Sequence, residues 1–170
     1  GRCAILFPHG VLFRKEEAAM RRKLIEEDWV ECVLGLGPNL FYNSPMEACV
    51  VVCRARKEPA RAGRVLFIDA VGEVARERSL SFLRPAHQRR IMEAYHAFAD
   101  EPGFAAVADA AAIAARDFSL SIPLYVRRET ANGGAAGRGL AELWAAWEEE
   151  GRGFWGEMDE LVGMLEALAR

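Results

Sequence analysis

The chain has 170 residues, 52% of them hydrophobic and 28% charged, with a formal net charge of −3, which is enough apolar material for one ordinary folded domain. No stretch approaches the ~18 consecutive apolar residues that cross a bilayer. Gly1-Arg2-Cys3-Ala4-Ile5-Leu6-Phe7-Pro8 reads as a strand and not as a secretory leader, so no membrane association and a cytoplasmic location are expected.

From Cys3 to Phe7 a short continuous apolar run, closed by Pro8-His9-Gly10, has the pattern of a strand buried on both faces. An amphipathic helix follows over about 14–28, with Ala18, Met20, Leu24 and Ile25 among Lys, Arg and Glu. WVECVLGL, 29–36, is the next strand, and strand, helix and strand together make a right-handed βαβ unit with its two strands parallel. The segment 37–46 carries turn formers around Phe41 and Tyr42. ACVVVCR, 48–54, is then a third strand, and with no helix between them strands two and three should be antiparallel neighbours. A polar stretch rich in arginine leads to a fourth strand at 65–69. A helix covers about 85–99, ended by Pro102-Gly103, and an Ala-rich helix follows it. Residues 119–126 read as an extended segment that Pro123 confines to a sheet edge or a loop.

Residues 1–128 therefore form an α/β body. Glu129–Gly139 (ETANGGAAGRG) is a linker by composition, and 140–170 is an amphipathic helical tail. The body holds 20 basic and 17 acidic side chains up to residue 139 (+3) and the tail 2 and 8 (−6), a division that permits nucleic acid on the first and a protein partner on the second. Arg54, Arg56, Lys57 and Arg61 are candidate DNA-phosphate contacts, with a solvated hairpin loop as the alternative. Trp144, Trp147, Phe154 and Trp155 are candidate partner anchors, the alternative being a helical hairpin packed on its own sheet. The four cysteines lie in apolar runs and read as free core thiols. His9, His87 and His96 lack metal-ligand spacing, so no metal is expected. No glycine-rich strand-to-helix turn and no [DN]PP[YF] motif occurs in 1–170: Gly35-Leu36-Gly37 reads as a tight exit from strand two, and Asn43-Ser44-Pro45-Met46 as a turn.

In order, CAILFPHGVLFR, RRKLIEEDWVECVLGLGPNLFYNSPMEACVVVCR, VLFIDA and SLSIPLYV resemble the modification subunit of type I restriction-modification systems, which methylates adenine at N6 in DNA with S-adenosylmethionine. Gly37, where that family usually has Pro, and Glu47 depart from the pattern. The resemblance implies the C-terminal part of a Rossmann-like class I methyltransferase sheet, with a last strand inserted antiparallel. It also implies that the cofactor and catalytic motifs lie upstream of this chain, which contains no catalytic residue of its own and by itself should be inactive. It further implies a target-base pocket built from Pro38, Asn39, Phe41 and Tyr42, with Phe41 stacked on an extruded adenine, the alternative being that Phe41 and Tyr42 plug the end of the sheet as core. The partners it implies are DNA, the missing N-terminal part of the methylase, and the specificity and restriction subunits. A non-catalytic interaction remnant of a methyltransferase, and an amino methyltransferase acting on RNA or protein, are the rival readings.

Overall fold

A computed structural model describes residues 1–41, 44–77, 80–127, 144, 145, 147–149 and 151. The chain divides into two compact units, Gly1–Arg128 and Glu129–Arg170.

In the first unit β1 (Arg2–Pro8), α1 (Ala18–Glu26), β2 (Val30–Leu36), β3 (Ala48–Arg54), β4 (Arg64–Ala70), the short hairpin β5 (Ala75–Glu77) and β6 (Leu80–Phe82), α2 (Pro85–Ala97), β7 (Ala105–Asp109) and α3 (Ala110–Ala114) follow one another. The main sheet has the order β1-β3-β2-β4-β7. β3 lies antiparallel between β1 and β2, which are thereby parallel to each other, and β4 pairs in parallel with β2. This is the antiparallel insertion expected for strands 30–36 and 48–54.

Alternation along the strands divides the core between the two faces. Val33, Val51 and Phe67 point to the α1 and α3 side, where they meet Leu12, Ile25, Ile113 and Ile122. Cys32, Leu66 and Ile68 point to the other side, where α2 contributes Ile91 and Ala94 beside Phe104. Phe67, fully buried, stacks on Tyr125 with ring centroids 3.9 Å apart. Each such side chain contributes roughly 1.5–3 kcal/mol by leaving water.

Several expectations need correction. The first helix begins at Ala18, not near 14, because Phe13 and Arg14 turn back with their N–H groups on the Gly10 carbonyl. The Ala-rich stretch is divided: Ala105–Asp109 pairs antiparallel with β4, and only Ala110–Ala114 is helical, capped by Asp109, whose Oδ1 accepts from the Ala112 N–H at 2.6 Å. Alanine's helix propensity here yields to the pairing offered by the open edge of β4. Residues 119–126 are not extended, because Ile122–Leu124 forms a 3-10 turn with Pro123 in its first positions.

β1, expected to be buried on both faces, is instead an exposed edge strand, and Cys3, expected among the core thiols, is exposed with it. Among the described residues it pairs on one side only, with β3, and Ile5 and Leu6, on opposite faces, are 41% and 49% exposed. The Ala55 N–H donates to the Gly1 carbonyl, and the register runs unbroken from Arg2↔Arg54 to Pro8↔Ala48. Hydrogen-bonded pairs alternate along an antiparallel ladder, so the backbone groups of Cys3, Ile5 and Phe7 serve β3, whereas those of Arg2, Ala4 and Leu6 face outward.

Candidate functional site

The carboxyl ends of β1, β2 and β4 lie at one end of the sheet, the end at which open α/β sheets bind ligands. Three connections leave there: His9–Phe13, Gly37–Glu47 and Val71–Arg84. Between the first two lies an open groove of about 280 Å³ lined by Leu6, Phe7, Pro8, Phe41, Met46 and Glu47. Phe41 is 36% exposed, and its carbonyl accepts the Ser44 N–H at 3.0 Å. Asn39 sits in the left-handed region, at φ 60°, a conformation asparagine tolerates better than most residues, and its carbonyl accepts the Ser81 N–H of β6 at 2.9 Å. Pro38 is partly buried beside it, and Tyr42 lies outside the described residues.

The loop's position is set from beneath. A Cβ on Gly37 would stand 2.5 Å from the Val71 carbonyl oxygen, and one on Gly35 would stand 2.8 Å from Ile122 Cδ1. These glycines give close approach of strand two to its neighbours. His9 Nδ1 meets Glu47 Oε2 at 3.3 Å and ties the exit of β1 to the entry of β3. Arg21, buried, donates to the carbonyls of Val11 at 2.9 Å, Arg14 at 2.8 Å and Phe118 at 3.1 Å, and so holds the 9–14 connection against α1 and the turn after α3.

The basic candidates lie elsewhere. Arg54 ends β3 opposite Arg2, at the far end of a seven-residue strand from Ala48 and the Phe41 groove, about 20 Å away at ~3.4 Å per residue. Arg54 Nη1 and Arg61 Nη1 lie 3.2 and 3.1 Å from Oε1 of Glu31, whose side chain is completely buried, and the Tyr95 hydroxyl donates to its Oε2 at 2.8 Å. Burial alone raises the Glu31 pKa, but the hydrogen bonds from Tyr95 and Arg61 and the charges of Arg54 and Arg61 outweigh it, and the carboxyl is held below its usual range. Lys57, also buried, pairs with Asp28 and donates to the Arg64 carbonyl at 2.8 Å. Arg56 is exposed and has no ion pair among the described residues. The structure thus brings Phe41, Asn39 and Pro38 to one end of the sheet, and gives Arg54, Lys57 and Arg61 partners of their own at the other. Glu31 was legible in principle: one carboxylate inside the apolar run WVECVLGL demands a cation.

In the second unit Trp144 and Trp147 are 58% and 62% exposed, with ring centroids 5.2 Å apart. Trp144 Nε1–H donates to Glu148 Oε1 at 2.8 Å. Phe154 and Trp155 lie outside the described residues.

Residues 1–133 match the N-6 DNA methylase family. The chain is 31% identical over 129 residues to the type I restriction enzyme MjaVIII methylase subunit of Methanocaldococcus jannaschii, covering 74% of this chain and 22% of that protein. It is 32% identical over 126 residues to the MjaVII methylase subunit of the same organism, covering 72% and 22%. The crystal structure of the type I restriction-modification methyltransferase subunit from Streptococcus thermophilus superposes with a TM-score of 0.69 at 35% identity, covering 74% of this chain and 26% of that one. The chain spans about a fifth of the length of the curated relatives.

Proposed function

From the premise that this chain belongs to the N-6 DNA methylase family, established by the match over residues 1–133, we propose that it completes the catalytic domain of a type I restriction-modification DNA methyltransferase. In this reading it closes the sheet, forms one wall of the target-base pocket and docks partner subunits, in an enzyme that transfers a methyl group from S-adenosylmethionine to adenine N6.

The observation that carries the reading is the unpaired edge of β1. An apolar edge strand open on both faces is a standing invitation to pairing, and Arg2, Ala4 and Leu6 present backbone groups with which a further strand can pair. A parallel strand added there must reach β1 through a right-handed crossover, which puts the connecting helix on the α1 side. On that side a groove of about 470 Å³ runs between β1 and α1, lined by Cys3, Ile5, Leu24, Trp29 and Cys53 with almost no polar surface. Both the edge and the groove are accounted for by upstream polypeptide of the same enzyme.

The chain's own strand exits do not fit the cofactor. β1 leads into a 3-10 turn and Gly35-Leu36-Gly37 into a loop lying against Val71, whereas S-adenosylmethionine needs a glycine-rich turn opening a helix, so none of these residues is assigned to it. What the chain supplies is the base wall. A base flipped from the duplex loses its stacking partners, and Phe41, a third exposed in the groove it shares with Leu6 and Pro8 at the ligand end of the sheet, offers an aromatic face in return. Of the basic loop only Arg56 is left free to meet a phosphate. The paired tryptophans of the second unit are the proposed contact with the specificity subunit.

The test is Phe41→Ala in the complete modification enzyme. Stacking on an aromatic contributes about 1–3 kcal/mol per base, so kcat/KM for duplex DNA should fall roughly 5- to 150-fold, with the Kd for S-adenosylmethionine unchanged. Unaltered methylation at normal cofactor affinity would remove Phe41 from the pocket.

A further inference from the structure

We propose that Arg14 is a phosphate-binding residue of this enzyme, gripping the DNA backbone beside the extruded nucleotide. The inference rests on the base-pocket reading and adds a contact that reading does not contain.

Arg14 closes the connection that leaves β1 at the ligand end of the sheet, six residues after Pro8, which lines the Phe41 groove. Its guanidinium sits against Gly10: a Cβ there would stand 2.6 Å from Cζ and 2.8 Å from Nη2. The turn beneath is rigid, because the N–H groups of Phe13 and Arg14 both donate to the Gly10 carbonyl and buried Arg21 grips the carbonyls of Val11 and Arg14. The base of the side chain is therefore fixed at both ends of the turn, while the residue itself is exposed and forms no ion pair among the described residues. Arg54, Lys57 and Arg61 present the opposite picture, each engaged with an internal carboxylate.

An exposed arginine seated on a glycine, with no carboxylate paired to it among the described residues, is prepared for a bidentate hydrogen bond to a phosphate. Gly10, on which it sits, is two residues from Pro8 of the groove, so the guanidinium stands on the same connection as the groove wall and within reach of the phosphates of a nucleotide whose base occupies the groove. This pose needs Gly10 to lack a side chain. Because the obstructing group is the mobile end of an arginine, a methyl at position 10 displaces the guanidinium without breaking the fold.

The experiment measures duplex DNA binding by the complete modification enzyme against salt concentration, for wild type, Arg14→Ala and Gly10→Ala, with thermal unfolding and S-adenosylmethionine affinity as controls. Each phosphate contact contributes about 0.9 to the slope of log K against log salt. Arg14→Ala should lower that slope by about one and weaken binding roughly tenfold at low salt. Gly10→Ala, which keeps the charge, should weaken binding several-fold, and both variants should unfold and bind S-adenosylmethionine as the wild type does. An unchanged slope and affinity in Arg14→Ala overturns the proposal, as does Gly10→Ala binding DNA like wild type, or a loss of cofactor affinity in place of DNA affinity. If the wild-type enzyme neither binds nor methylates DNA, or Phe41→Ala is silent, it is the base-pocket reading that fails.

Discussion

Replacing Glu31 with Gln removes the charge on which the basic end of the sheet is organised, while keeping volume and most hydrogen-bonding geometry. Three contacts are affected: Arg54 at 3.2 Å, Arg61 at 3.1 Å and the Tyr95 hydroxyl at 2.8 Å. Orphaning a buried charge costs about 3–5 kcal/mol, but the side chains of Arg54 and Arg61 are 17% and 14% exposed and can turn toward water. The loss should therefore lie near 2 kcal/mol, below the roughly 3 kcal/mol to which the difference between charge-assisted and neutral hydrogen bonds sums over the three, because both guanidiniums regain water. For a folded unit of this size that lowers Tm by about 6–10 °C. The pH dependence has a definite sign: a carboxyl whose folded pKa is depressed contributes stability fully present above its ordinary value of 4.5, lost as pH falls through the lower folded value. Thermal unfolding of wild-type and Glu31→Gln chains, followed by circular dichroism from pH 7 down to pH 3, should show a gap that narrows below pH 4.5. A variant within ~0.5 kcal/mol of wild type at pH 7, or a gap that widens in acid, would refute the reasoning.

Gly35→Val should cost about 1–3 kcal/mol, since its side chain must displace Ile122 from the core; urea denaturation reads this as a lower midpoint at unchanged m. Lys57→Met should leave the salt dependence of DNA binding untouched yet destabilise the chain by roughly 1–3 kcal/mol, because Asp28 loses its buried partner, and a reduced salt slope would return Lys57 to the DNA surface. Trp144→Ala combined with Trp147→Ala should weaken assembly with the specificity subunit at least tenfold in analytical ultracentrifugation, with Tm unmoved.

The strands that carry the fold were legible because their signals are local and redundant. Ala48–Arg54 carries three consecutive valines between small apolar residues, the 30–36 run is apolar between turn formers, and the absence of a helix between them forces antiparallel pairing. What escaped was set by distant partners. Ala105–Asp109 is a strand only because β4 has an edge to offer it, and the β5–β6 hairpin is fastened by the Asn39 carbonyl, a contact far away in sequence. The site divides in the same manner. Phe41 and Asn39 could be placed from the loop that bears them, but composition made a single basic surface of Arg54, Lys57 and Arg61. Only the fold reveals that Glu31 and Asp28 already occupy them. The family resemblance, carried by short segments in fixed order, supplied the identity that periodicity could not.

Amide hydrogen exchange at β1, resolved residue by residue by NMR, tests the sheet-completion claim most directly. In the isolated chain the amides of Cys3, Ile5 and Phe7 should be slow and those of Ala4 and Leu6 fast, and in the complete methyltransferase all five should be slow. Fast exchange at Ala4 and Leu6 in the complete enzyme would contradict the account, because no strand would then be paired with that edge.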